Sequence, residues 1–141
     1  MNNFRLFIKK KNIKILNKNK IYCLKRKKIF LFSNEEYLRQ NLLLYLIKKK
    51  GYNISNIYVE KKFNKKKYRI DILIKKKNIP YLIIECKSPK LKIINNYLNQ
   101  ILKYGNILKP KYYYLTNKID NILFKIKNKK IYFIKNIPIN N

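Results

Sequence analysis

Asp71 and the triplet Glu85-Cys86-Lys87 are the residues of this chain whose types and spacing could do chemistry. Each closes a strand-like stretch. Arg69 to Ile74 alternates, with Ile70, Ile72 and Ile74 on one face and Arg69, Asp71 and Leu73 on the other. Tyr81 to Cys86 is apolar on both faces until Glu85, which predicts a buried central strand. At a period of two, Glu85 and Lys87 share a face and Cys86 points the other way. A charged pair at the end of a buried strand is costly unless something compensates it. A divalent metal held by Asp71 and Glu85, with Lys87 beside it, would do so. Ion pairs between these carboxylates and neighbouring lysines are the plainer alternative.

Glu-x-Lys alone carries little information in so lysine-rich a chain, since Glu60-Lys61-Lys62 matches it as well. Glu85 differs in context: an apolar run precedes it, and an Asp lies on the strand before. Scarcity adds weight. The chain has 6 acidic residues against 36 Lys and Arg, so each carboxylate invites a reason.

The pattern of an Asp on one strand and Glu-x-Lys closing the next resembles the PD-(D/E)XK nuclease superfamily. It is closer still to the nuclease domain at the N-terminus of type I restriction enzyme R subunits. The words that carry the resemblance are Arg69-Ile70-Asp71-Ile72, Ile84-Glu85-Cys86-Lys87-Ser88-Pro89 and Gln100-x-x-x-Tyr104, preceded by Asn34-Glu35-Glu36 and Arg39-Gln40-Asn41. Ile70 stands where the superfamily name has Pro.

The resemblance implies an α/β protein with a restriction-endonuclease-like central mixed β-sheet flanked by α-helices. It implies a Mg²⁺-dependent endonuclease acting on DNA, with Mn²⁺ able to substitute. Asp71, Glu85 and the backbone carbonyl of Cys86 would be the metal's oxygen ligands. Lys87 would orient or deprotonate the attacking water, its pKa lowered by the cation and by partial burial. Gln100 would hold the scissile phosphate or the water, and Arg39, Arg69 and Tyr104 would contact nucleic acid. Two further carboxylates stay open. Glu36 either only caps its helix or completes the metal site. Glu60 is either a third acid near the metal or half of an exposed pair with Lys66 or Arg69. Two other functions also stay open: a basic nucleic-acid-binding module that keeps the fold but does not cut, and a small RNA-binding or ribosome-associated protein.

Elements that would position these residues are legible around them. Ser33-Asn34-Glu35-Glu36 has a capping-box pattern, and Leu38, Leu42, Tyr45 and Leu46 continue it as the apolar stripe of a helix over 33–50, closed by Gly51. A second helix is predicted over 92–108, with Ile93, Tyr97, Gln100 and Tyr104 on one face. Core strands are predicted at 57–63, 68–74, 80–87 and 111–116, and a terminal hairpin at 123–126 and 131–134. Short strands at 4–8, 13–16, 21–24 and 29–32 precede the first helix and carry no evident chemistry. The reading is one domain over 1–141: N-terminal strands 1–32, core 33–117 and C-terminal hairpin 118–135, with Pro138 and the last asparagines frayed.

Composition narrows the function. A formal charge of +30 favours polyanionic partners, and the absence of His excludes His-based chemistry. Lys, Asn, Ile and Tyr all have A/T-rich codons, so compositional bias supplies part of that charge. Cys23 and Cys86 have neither disulfide-framework nor metal spacing. No apolar run approaches the ~18 residues of a membrane span, and the reading is a cytoplasmic protein. Its partner is expected to be nucleic acid, with a homodimer or a companion protein subunit left open. Gly occurs only at 51 and 105, so no phosphate-cradling loop of a motor domain is present.

Overall fold

The computed structural model describes residues 15–16, 19–90, 92 and 96–141. Ile15–Leu16 (β1), Lys20–Cys23 (β2) and Lys28–Leu31 (β3) form a small antiparallel sheet. Helix Asn34–Lys48 (α1) follows, then strands Ile57–Phe63 (β4), Tyr68–Lys76 (β5) and Ile79–Cys86 (β6). Helix Asn96–Leu108 (α2) leads to Tyr112–Thr116 (β7), Asn121–Lys127 (β8) and Lys130–Phe133 (β9). Strands β4 to β9 form one mixed sheet in sequence order, antiparallel throughout except for β6 and β7, which run parallel. A parallel pair needs a crossover, and α2 is that crossover. The class is α/β. The predicted strands 4–8 and the start of the second helix, with Ile93, lie outside the described residues. Among the described residues no helix is long and apolar enough to cross a membrane.

The sheet is apolar on both faces because each face has its own cover. Ile57, Ile72, Ile74, Leu82 and Ile84 pack with Leu38, Leu42, Leu43 and Leu46 of α1. Leu73, Ile83, Tyr113, Leu115 and Phe124 pack with Ile101 and Tyr104 of α2. Removing such side chains from water, at roughly 25 cal/mol per Å² of apolar area, is what holds a helix on each side.

One assignment of faces is corrected. Ile70 does not lie with Ile72 and Ile74 but in the cluster beneath α2. The pairs Val59↔Ile72 and Lys61↔Ile70 put Glu60 opposite Asp71, and Glu60 has a φ of 55°, in the left-handed region. The alternation therefore breaks at this pair. A second correction concerns the C-terminus. It is tied down: Tyr52 donates its hydroxyl to the Pro138 carbonyl (2.8 Å), the Asn140 amide donates to Lys50 O (2.8 Å), and Ile137 is buried.

α2 can approach the sheet because Gly105 has no side chain. A Cβ there would stand 2.1 Å from the Tyr113 ring. Gly105→Ala is expected to cost about 1–3 kcal/mol as an overpacked contact, lowering the urea midpoint. A second change, Tyr113→Leu, should return part of the loss, because it removes the ring that the methyl group strikes.

Candidate active site

The β5–β6 ladder runs from Ile72↔Ile84 and is not continued to Asp71 and Glu85, the next pair along. Side chains take over from the backbone at that point. The Asp71 carboxylate accepts the Cys86 N–H at 2.7 Å, and Glu85 Oε1 accepts the Asp71 N–H at 3.3 Å. Two carboxylates on neighbouring strands are thereby fixed against each other's backbone. The chain leaving β6 stays beside β7, since the Lys87 N–H donates to Thr116 O at 2.8 Å. Lys87 Nζ lies 3.2 Å from Glu85 Oε2 and 4.6 Å from the centre of the Tyr97 ring.

Burial, reinforced by the like charge of Asp71, pushes the Glu85 carboxyl up to about 8, and Lys87 offsets only part of this. Burial alone would lower the Lys87 ammonium, but Glu85 and the other carboxylates near it outweigh that, so its pKa is raised. The lowered Lys87 value expected from the sequence depended on a bound cation, and in the metal-free protein the direction is reversed. The Glu85–Lys87 pair thus holds on to its protons.

The sign of the resulting pH dependence follows. The folded-state value of Glu85 lies above its ordinary one, so its contribution to stability is complete below the ordinary carboxylate range and is lost as pH rises through about 8. The unfolding temperature of metal-free protein is therefore expected to fall between about pH 5 and about pH 8. Glu85→Gln, which carries no charge to titrate, should fall less. Parallel curves for the two proteins would contradict the assignment.

Arg39 stands behind this pair. Its guanidinium reaches from α1 to Glu36 (2.5 Å), Asp71 (2.6 Å) and Glu60 (2.7 Å). Burial alone would lower its pKa, but the carboxylates, Asp71 foremost, reverse this and hold it above the ordinary arginine value. Arg39 is 6% exposed and committed to three acids, yet it is among the residues that line the cleft, and its position suits holding the acids together. Glu36 also differs from the capping-box expectation. Ser33 Oγ accepts the Glu36 N–H at 3.0 Å, but the Glu36 carboxylate does not turn back to the cap. It accepts from Arg26, Arg39 and Gln40 instead. Glu60 lies beside Asp71 and forms the expected pair with Arg69 at 2.6 Å, but half-buried rather than exposed.

These groups open onto a cleft of about 410 Å³. Glu35, Glu60, Asp71 and Glu85 line it, with Lys62, Lys66, Lys67, Arg69 and Lys87 among the walls. Gln100 and Tyr104 come from α2, and the Gln100 amide donates to the Tyr104 hydroxyl at 2.7 Å. Five of the six acidic residues thus lie in the cleft or, in Glu36, directly behind it. All the residues singled out from the sequence come together here, Arg69 at the exposed rim and Arg39 and Glu36 in the buried layer.

A model of the type I restriction enzyme R protein N-terminus family matches residues 34–138. The chain belongs to this family. No curated protein and no solved structure matches it.

Two contributors to the cleft of this R protein N-terminal family member went unrecognised in the sequence. Glu35 reaches from α1 to accept the Ser88 N–H at 3.1 Å, pinning the loop that follows Lys87. Arg26, in the β2–β3 turn, holds Glu36 while its Nε lies 3.2 Å from Cys23 Sγ and its guanidinium 3.6 Å from the Phe30 ring centre. The scarcity of acids was the available signal for Glu35. For Arg26 there was none, because it is one cation among 36 and precedes the matched segment.

Proposed function

We propose that this member of the R protein N-terminal family is a metal-dependent nuclease domain of restriction-endonuclease-like fold and PD-(D/E)XK type, hydrolysing phosphodiester bonds of DNA. One observation carries the reading: nearly all the carboxylates of a strongly basic chain converge on one cleft, with Asp71, Glu85 and Lys87 at its base. The donor set fits Mg²⁺. Asp71 and Glu85 offer hard oxygens side by side on neighbouring strands. Among the described residues no group of three Cys, Asp or Glu side chains is arranged to hold a metal ion by itself. Mg²⁺ does not require that, since it commonly takes one or two carboxylates and completes its octahedron with water and phosphate oxygens. Asp71, Glu85 and the Cys86 carbonyl would hold it, and Mn²⁺ is the expected substitute. When bound, the ion would lower the pKa of a water molecule and neutralise charge gathering on the phosphate.

The chain's own residues do the rest. Lys87, held over Tyr97 and against Glu85, presents its ammonium where a water would be oriented or relieved of a proton. Gln100, anchored on Tyr104, lines the wall that a phosphate would pass. Arg39 keeps Asp71 and Glu60 in place. Arg69 at the rim and the surrounding lysines supply backbone affinity.

A second reading, a basic binding module that does not cut, is favoured by one observation: Arg39 and Lys87 already compensate Asp71 and Glu85. Incubating purified protein with DNA and RNA, in Mg²⁺, Mn²⁺ or EDTA, separates the two. Metal-dependent scission of DNA supports hydrolysis. Binding without scission of either polymer under any of these conditions supports the module.

A further inference from the structure

Among the described residues, the lysines Lys62, Lys66 and Lys67 that line the cleft form no ion pair with an acid. Asn64, Lys65 and Lys66 adopt left-handed φ values of 49°, 53° and 66°, forming the turn that brings Lys66 and Lys67 to the cleft. Beside it, the Tyr68 ring is held 5.7 Å from Phe63 and 5.6 Å from Tyr104, centre to centre. Two ammonium groups reach that ring from different elements: Lys67 at 5.3 Å and Lys103, from α2, at 5.0 Å. Both lysines are exposed. Among the described residues neither forms an ion pair with a carboxylate. The acids nearby are engaged by Arg26, Arg39, Arg69 and Lys87. Two like charges converge on one phenol, and an anion from outside would relieve their repulsion. Lys103 foremost, and Lys67, also hold the Tyr68 phenol below the ordinary tyrosine value.

We infer that Lys67, Lys103 and the Tyr68 hydroxyl form a phosphate subsite at the mouth of the cleft, separate from the Asp71–Glu85 centre. It takes a phosphodiester of the same nucleic-acid strand, away from the one that reacts. The inference rests on the reading of the cleft as a nucleic-acid site. Tyr68 and Asp71 are three strand positions apart, roughly 10 Å at ~3.3 Å per residue. A DNA strand rises only about 3.4 Å along the helix axis per phosphate but winds around the axis as it does so, which sets successive phosphates farther apart, and the subsite therefore lies within about two phosphates of the centre. It would make the cleft prefer a strand that continues past the reacting bond over one that ends there.

The test is binding in EDTA. A fluorescein-labelled oligonucleotide of about twenty nucleotides, as single strand and as duplex, is titrated by anisotropy between about 50 and 200 mM salt. Releasing one phosphate contact should lower the slope of log K against log salt by about 0.9 on duplex or about 0.7 on single strand. That drop is expected for Lys67→Gln with Lys103→Gln. The control, Lys125→Gln with Lys127→Gln on the exposed part of β8, should change the slope by less than half as much. Tyr68→Phe, which keeps the ring, should weaken binding at fixed salt with the slope unchanged. An equal drop in both double variants would mean diffuse attraction and overturn the subsite, as would no drop in the first. Unchanged affinity for Tyr68→Phe would remove the hydroxyl from it. No step here needs metal. A protein that fails to cut in Mg²⁺ would reject hydrolysis and leave this result standing, and a protein that cuts with equal slopes would do the reverse.

Discussion

Glu85→Gln and Asp71→Asn are expected to abolish Mg²⁺-dependent cleavage and to weaken metal binding with it. These amides are better tests than alanine. Each keeps an oxygen to accept the backbone N–H that the carboxylate now holds, Cys86 for Asp71 and Asp71 for Glu85. The fold should therefore survive while the charge that retains the cation is lost. Lys87→Ala is expected to differ in kind. Both carboxylates remain, so titration calorimetry should still record metal binding, while the cleavage rate falls by about 10²–10⁴-fold, the range a positioned acid or base supplies. Nucleic-acid binding should persist in all three. Loss of metal binding in Lys87→Ala, or cleavage near the wild-type rate in Asp71→Asn, would reassign the roles.

Arg39→Ala is expected to have the largest effect on stability of any single change in the site. It leaves Glu36, Asp71 and Glu60 facing one another without their shared cation. Removing one partner of a buried ionic network costs about 3–5 kcal/mol. For a chain of this size that corresponds to a fall of roughly 10–15 °C in unfolding temperature. Arg39→Lys should recover little, because a single ammonium cannot span three carboxylates as the planar guanidinium does. Added Mg²⁺ should raise the Arg39→Ala transition more than that of wild type, since a ligand that binds only the folded state stabilises it. Melting within a few degrees of wild type would mean that the acids are held by other contacts.

The legible part of this molecule was whatever the local sequence dictates. Period two and a buried apolar run located Asp71, Glu85 and Lys87, and a four-residue spacing paired Gln100 with Tyr104. The helix and strand bounds followed from apolar patterns ending at turns. What was missed depends on reach across the fold. Arg39 was expected at the site, but not its partner: its side chain meets an acid 32 residues away. The cap at Ser33 was readable, but the direction of the Glu36 carboxylate is set by Arg39 and Gln40 and by Arg26 in the β2–β3 turn. Ile70 changed faces because the strand alternation breaks beside Glu60, and no one-dimensional pattern records a break in pairing. The C-terminus is fixed by a tyrosine hydroxyl 86 residues upstream of Pro138.

The tie between Arg26 and Glu36 bears on how the protein can be divided. The family-matched segment begins at Asn34, so a chain excised at that boundary would lose both the Ser33 cap and the Arg26 cation. Gln40 would also lose the Leu24 N–H that its side-chain oxygen accepts. Glu36 would then compete for Arg39 with fewer partners of its own, drawing the guanidinium away from Asp71. The strands at 20–31 are thus a buttress to the site rather than an appendage, and a graft of this domain onto another protein must carry them to keep its acids in register.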